Sequence, residues 1–420
     1  MPIRLELNSL PGKRLRGGIA GGIILIKFFQ GNCIDKIKEL DDNSIDCVVS
    51  SPPYYGLRDY GTAKWQGGDL NCSHSYGRNT RGGLTEFQKK NKGSFGDESV
   101  KSGENCKLCG AKRIDEQFGL EKTYQEYLAN TVKVFETFKP KLKDTATVWW
   151  NVGDSYNTKP AGNKDLKKSS GLPNKKENLH KRKDNISKVL LKSLKEKDLL
   201  MIPNRVAIAL QEAGWYIRSE IIWHKPNPMP ESVRDRPTSC HEKIWLITKN
   251  KKYYYDADAI RDPLASSSLT RLNQDIKNQK GSARGNGGRK TNGNMKAVFS
   301  KKNIKGNFSK RGITRTTEGL NLKTQLEKIN PLGRNKRNVW TITTKPFKEA
   351  HFATFPPDLI EPCIKAGCPE NGIVLDPFAG AGTTGIVARS LNRTAILIEL
   401  NPEYIEISKN RIDKEFGMFK

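Results

Sequence analysis

The run GIVLDPFAGAGTTGIVARSL, followed two residues later by TAILIEL, constrains this 420-residue sequence more than any other feature. Two short apolar stretches on either side of a helical period read as strands buried on both faces, and a single helix between them forces those strands to run parallel. The fold class is therefore α/β, with a covered and mostly parallel sheet. Gly380 and Gly382 lie in the strand-to-helix turn, where the lack of a side chain lets backbone approach a ligand closely. Glu399 ends the next strand, a position from which a carboxylate accepts hydrogen bonds from two ribose hydroxyls. No Gly-Lys-Ser/Thr follows the turn, and the third glycine of the dinucleotide fingerprint is missing, so neither a P-loop nor an ordinary NAD site fits. Taken alone, the turn is also compatible with a plain strand-to-helix connection.

The same logic applies upstream. Residues 23–29 read as a strand, CIDKIKEL as a helix, and IDCVVS as a second strand that breaks at Ser51-Pro52-Pro53-Tyr54. Further on come a helical stretch through YLANTVKVFETFKPKLK, the strand ATVWWNVGDSY, the helix PNRVAIALQEAG and the strand pair YIRSEIIWHKP and EKIWLITK. The helices PPDLIEPCIKAGC and PEYIEISKNRI flank the glycine turn and its strands. Residues 1–22, 61–119, 158–198 and 262–338 lack the periodic apolar positions a core needs, and read as extension, insertions and arms.

Composition narrows the partners. Lys and Arg number 73 against 45 Asp and Glu, a formal charge of +28 that points to a polyanionic partner, nucleic acid first. No apolar run approaches the roughly 20 residues of a spanning helix, so a membrane is not expected. The small apolar block near residue 25 is interrupted by Lys27 and precedes no small-residue cleavage site, against a secretory signal. Eight unevenly spaced cysteines do not make a disulfide framework and fit a reducing, cytoplasmic compartment.

Ser51-Pro52-Pro53-Tyr54 resembles the catalytic motif of enzymes that methylate an exocyclic amine of cytosine or adenine in DNA, and that chemistry accounts for its residue types. An exocyclic amine on a base is a poor nucleophile because its lone pair is delocalised into the ring, and acceptors on both N–H bonds help localise it. The Ser51 hydroxyl and the Pro52 carbonyl can be those acceptors, Pro52 and Pro53 fix the backbone, and Tyr54 offers an aromatic face for a flipped-out base. Together with Asp376-Pro377-Phe378-Ala-Gly380-Ala-Gly382, this motif resembles the β class of DNA amino-methyltransferases, in which the catalytic motif precedes the cofactor turn.

The resemblance implies a seven-stranded Rossmann-like sheet, S-adenosylmethionine as cofactor, and double-stranded DNA as partner, with a restriction endonuclease acting on the same site as a further candidate partner. It adds Asn32, Phe352, Phe355, Pro356, Thr383 and Thr384 to the cofactor site, beside Asp376, Pro377, Phe378, Gly380, Gly382 and Glu399. It divides the chain into catalytic parts at 23–60 and 120–250, a target-recognition region at 251–338 and a cofactor-binding part at 339–420. A Ser at the head of the motif is associated with N4 of cytosine and an Asp or Asn with N6 of adenine, so cytosine is expected, with adenine as the competing base. Methylation of RNA competes with methylation of DNA, and a non-catalytic nucleic-acid-binding module on the same fold competes with both. A cytosine C5 mechanism needs a Pro-Cys nucleophile, and Pro362-Cys363 lies within an expected helix.

The 61–119 insertion carries Cys72-x-His74 and Cys106-x-x-Cys109-Gly, two ligand pairs with the spacing of a closed structural zinc site. No Glu stands beside His74 as a zinc deaminase would require, so the metal is expected to be structural.

Overall fold

The computed structural model describes residues 25–57, 60, 62–69, 71–74, 105–106, 108–158, 191, 193–264, 330, 332–345 and 354–417. The N-terminal extension, Phe352 and most of the region expected to recognise the target lie outside them.

The first strand, β1 (Ile26–Gln30), leads through α1 (Cys33–Lys38) to β2 (Ile45–Ser50). A short hairpin of β3 (Lys64–Gln66) and β4 (Lys112–Ile114) belongs to the insertion, and α2 (Tyr124–Phe138), β5 (Leu142–Val152), α3 (Ile202–Glu212), β6 (Tyr216–His224) and β7 (His241–Thr248) follow. The closing part comprises β8 (Val339–Thr341), α4 (Pro357–Gly367), β9 (Ile373–Asp376), α5 (Thr383–Ser390), β10 (Thr394–Glu399) and α6 (Pro402–Phe416).

Eight strands form one sheet in the order β1-β10-β9-β2-β5-β7-β6-β8. All neighbours pair in parallel except β7, which runs antiparallel to both β5 and β6. The methyltransferase-type sheet is thus present with one strand more than the seven expected. Residues 339–341 are too short and too alternating to announce themselves, and gain their place by pairing with the outer edge of β6.

Every residue of β2 is buried, as a central strand covered on both faces must be. On one face α2 buries Tyr127, Thr131, Val134, Phe135 and Phe138, a stripe at helical spacing. Phe135 meets Trp150 of β5 at 5.0 Å and Trp215 at 5.2 Å, both edge-on. On the other face Gly367 of α4 lies so close to Thr147 and Trp149 that an added Cβ would sit 2.3 Å from each. The Trp149-Trp150 pair therefore feeds two layers of core. The helix expected to run through KPKLK stops at Phe138, since Pro140 cannot continue it, and β5 begins four residues earlier than its apolar run suggests.

Residues Asp256–Arg337 form a unit separate from the rest of the chain. Its two ends are fastened together. The Asp262 and Arg334 backbones exchange N–H···O=C bonds of 2.9 and 3.0 Å, and Arg261 donates to the Gly333 carbonyl. Among the described residues no helix is long and apolar enough to cross a membrane.

Candidate active site

Ligands of an open α/β sheet sit outside the carboxyl ends of its strands, where the strand order reverses. Here the reversal lies between β9 and β2, since the chain proceeds from β9 to β10 on one side and from β2 to β5 on the other. Both sequence motifs start at this point, Ser51-Pro52-Pro53-Tyr54 directly after β2 and the glycine turn directly after β9.

A buried carboxylate joins the two. Asp376 accepts from Ser50 Oγ at 2.6 Å, from Thr384 Oγ1 at 2.6 Å and from the Phe378 N–H at 3.1 Å. Burial pushes its carboxyl up to about 6, against these hydrogen bonds, which pull it down. Asp376 and Thr384 were expected at the cofactor, and both spend their polar atoms on the shape of the turn. Thr383 is buried and accepts a 3.3 Å bond from Arg411, and Pro377 is also buried.

The two glycines divide the work. A Cβ on Gly380 would meet nothing within 4 Å, whereas one on Gly382 would sit 2.1 Å from Ser408 Oγ on α6. Gly380 therefore leaves open space over its backbone, and Gly382 is the one that lets α6 close on the turn. Glu399 accepts from the N–H groups of Gly380 and Asn401, one on each carboxylate oxygen, both at 2.9 Å. Burial raises its pKa, and each oxygen keeps a further lone pair for a hydroxyl.

Gly31 N–H donates to the Glu399 carbonyl, fixing the end of β1 beside the end of β10. Asn32 follows, its Oδ1 capping α1 at the Ile34 N–H. Phe378 is half-buried, with Phe118 at 5.2 Å and Trp150 at 6.0 Å. Phe355 is half-buried and Pro356 buried, just before α4.

The catalytic-type loop is tied down by a polar network. Ser51 Oγ donates to Tyr54 Oη at 3.1 Å, and Tyr54 Oη donates to Glu242 Oε2 at 2.6 Å. Asn151 Nδ2 donates to Tyr54 Oη at 2.7 Å, to Glu242 Oε2 at 3.1 Å and to Ser51 Oγ at 3.3 Å. Lys225 pairs with the other Glu242 oxygen. Desolvation and the Glu242 charge raise the Tyr54 phenol well above its ordinary value, so it stays protonated and keeps donating. The Tyr54 ring lies against Gly153, where an added Cβ would come within 2.5 Å. The Pro53 carbonyl accepts from Tyr127 Oη at 3.3 Å.

Asn151, Glu242 and Lys225 were not singled out as site residues from sequence. The signal was present in the strand pair, because antiparallel pairing of β6 with β7 brings WHKP and HEK together, with the Lys225 N–H donating to the Cys240 carbonyl.

The four expected metal ligands converge. Cys72, His74, Cys106 and Cys109 place their ligand atoms within 4.8 Å of one another. Cys72 Sγ and Cys106 Sγ are 3.9 Å apart, and Cys109 Sγ is 3.3 Å from His74 Nδ1. Ordinary tetrahedral zinc bond lengths give about 3.8 Å between two sulfurs and about 3.6 Å between sulfur and nitrogen, so the donor set fits that ion.

The N6/N4 methyltransferase family model, described as DNA methylase, matches residues 45–410. The chain is 34% identical over 387 residues to the type II methyltransferase M.Cfr9I of Citrobacter freundii, covering 92% of this chain and 87% of that one. It is 31% identical over 393 residues to the type II methyltransferase M.SmaI of Serratia marcescens, covering 92% and 90%.

Proposed function

The chain belongs to the N6/N4 DNA methylase family and is a DNA methyltransferase, and from that premise we propose that it methylates the exocyclic N4 of cytosine in double-stranded DNA, using S-adenosylmethionine. The observation that carries this reading is the direction of the hydrogen-bond chain from Ser51 through Tyr54 to Glu242. Because Tyr54 gives its proton to Glu242, its oxygen receives the Ser51 proton, and with Asn151 Nδ2 donating to one Ser51 lone pair the other is left for a substrate N–H. Ser51 is thereby an acceptor by construction, and the Pro52 carbonyl is the second.

S-adenosylmethionine, when bound, supplies the electrophilic methyl sulfonium. Glu399 holds ribose hydroxyls, Gly380 admits close contact of backbone with the cofactor, and Phe378, Phe355, Pro356 and Asn32 complete the pocket. Ser51 and Pro52 orient the amine for attack, and Tyr54 holds the loop through its hydroxyl while presenting the free part of its ring to the extruded base. The proton lost from nitrogen after transfer passes to Ser51 as Ser51 passes its own to Tyr54 and Tyr54 to Glu242.

Ser51 at the head of the motif favours cytosine over adenine. The same reading gives residues 251–338 the task of recognising the target. It includes a cytoplasmic setting, a restriction endonuclease reading the same site, and a structural zinc ion on Cys72, His74, Cys106 and Cys109. Transfer of tritiated methyl groups to duplex DNA, in competition with RNA, tests it. Label that survives RNA competition and co-elutes with N4-methylcytosine is expected, and label moving to RNA would overturn the choice of substrate.

A further inference from the structure

Among the described residues of 60–119, Cys106 and Ala111 are the only buried apolar side chains, so this described part has no core with which to fix its own conformation. Its order comes from the ligand cluster and from backbone ties around it. The Cys106 N–H donates to the Ala111 carbonyl at 2.6 Å and the Gly110 N–H to the Cys106 carbonyl at 2.9 Å, closing a tight turn between two ligands. β3 pairs with β4 immediately after that turn, and Trp65 of β3 lies 4.9 Å from the His74 ring. Gly68 approaches the other side, where an added Cβ would sit 2.7 Å from Cys109 Sγ.

The segment leaving β4 goes straight to the active site. Asp115 Oδ1 accepts from Thr62 Oγ1 at 3.1 Å, and Gln117 Oε1 accepts from the Tyr60 N–H at 2.6 Å, so both strands' continuations stay together. The next residue, Phe118, lies against Phe378 of the glycine turn at 5.2 Å and against Tyr127 at 4.8 Å. Gly119 then passes so close to the catalytic-type loop that an added Cβ would be 3.0 Å from the carbonyl oxygens of both Pro53 and Tyr54. Its own carbonyl accepts from the Gly56 N–H at 2.9 Å. Only nine positions separate the ligand Cys109 from Phe118.

We propose that the metal held by Cys72, His74, Cys106 and Cys109 is a brace for the wall of the active site, fixing the hairpin so that Phe118 supports Phe378 and Gly119 supports the Pro53-Tyr54 backbone. Metal occupancy therefore sets the rate of methyl transfer, although the ion takes no part in the chemistry. The inference rests on the zinc reading above and adds to it a route from the ion to the reacting groups. Phe118 is a positioning residue on that route.

The test uses the full chain. Its metal content is measured by atomic emission, and turnover, cofactor affinity and far-ultraviolet circular dichroism are compared before and after chelation, for the wild type and for Phe118→Ala. The expected result is one zinc per chain, and on chelation a fall in kcat of about tenfold or more with weakened cofactor binding and an unchanged sheet signal. Phe118→Ala should keep its zinc, show a similar fall, and lose less than about twofold more when chelated, because ion and ring act on one path. Equal turnover with and without zinc would overturn the brace, and so would a full tenfold loss when Phe118→Ala is chelated. A chain that is isolated without metal and takes up neither zinc nor cobalt would overturn the zinc reading itself.

Discussion

Glu242 is held by three donors of different kinds, the Tyr54 phenol, the Asn151 amide and the Lys225 ammonium, and so has little freedom to turn. An amide at that position keeps the shape, loses the charge and can donate to Tyr54, which reverses the chain that makes Ser51 an acceptor. Hydrogen bonds to charged groups contribute about 1.5–3 kcal/mol, so Glu242→Gln should lower kcat roughly ten- to hundredfold. Calorimetric cofactor affinity should stay within about twofold, because Glu242 does not touch the glycine turn; a loss of affinity with kcat preserved would contradict its role. Asp376 makes a different prediction. Burial raises its pKa from 3.8 to about 6, so the folded state holds the proton more tightly than the unfolded chain does. Its contribution to stability is then fully present below about pH 4 and is lost as pH rises through 6. Urea unfolding between pH 4 and pH 7 should show Asp376→Asn gaining on the wild type up to about pH 6 and level thereafter.

The turn after β9 separates stability from binding within three residues. Gly380 and Gly382 both have positive φ, 50° and 73°, but only Gly382 also lacks room for a side chain. Left-handed backbone costs a residue with a Cβ about 1–2 kcal/mol, so both alanine variants lose some stability. Gly382→Ala should lose clearly more, by thermal melting, since α6 must also draw Ser408 back from the turn. Gly380→Ala should instead show its main loss in cofactor affinity; equal melting losses for the two would contradict this division. These elements were legible in sequence because the code there is local. IDCVVS and TAILIEL are uninterrupted buried runs, and their strands match the expected spans to within a residue. Asn151 and Glu242 were not legible as partners, since they meet through antiparallel pairing of β5 with β7, and pairing across a sheet has no local signature. Phe118 was hidden for the same reason, in a segment with too few apolar residues to suggest a fold. The cysteine and histidine pairs were legible because ligand spacing within each pair is local, and only their convergence needed the structure.

At the scale of the whole molecule, a formal charge of +28 acts on a polyanion before any base is read. Displaced counterions make affinity fall with salt, with a logarithmic slope of about −0.9 per phosphate contacted. Fluorescence titration of duplex DNA between 50 and 200 mM salt should therefore lose about a thousandfold in affinity if some six phosphates are held. A salt-independent affinity would contradict an electrostatic footprint. The basic stretches lie apart from the sheet motifs in sequence, which in the proposed reading separates a DNA-holding role for them from chemistry at the β2–β9 reversal. In the proposed reaction, Ser51 presents an acceptor to the exocyclic amine of cytosine at that reversal. Mass spectrometry of nucleosides from DNA incubated with S-adenosylmethionine and either the wild type or Ser51→Ala, with cofactor binding by the variant verified, tests it most directly. The account predicts N4-methylcytosine with the wild type and a loss of about a hundredfold or more with the variant, as expected when an oriented acceptor is removed. N6-methyladenine, or full activity of Ser51→Ala, would contradict it.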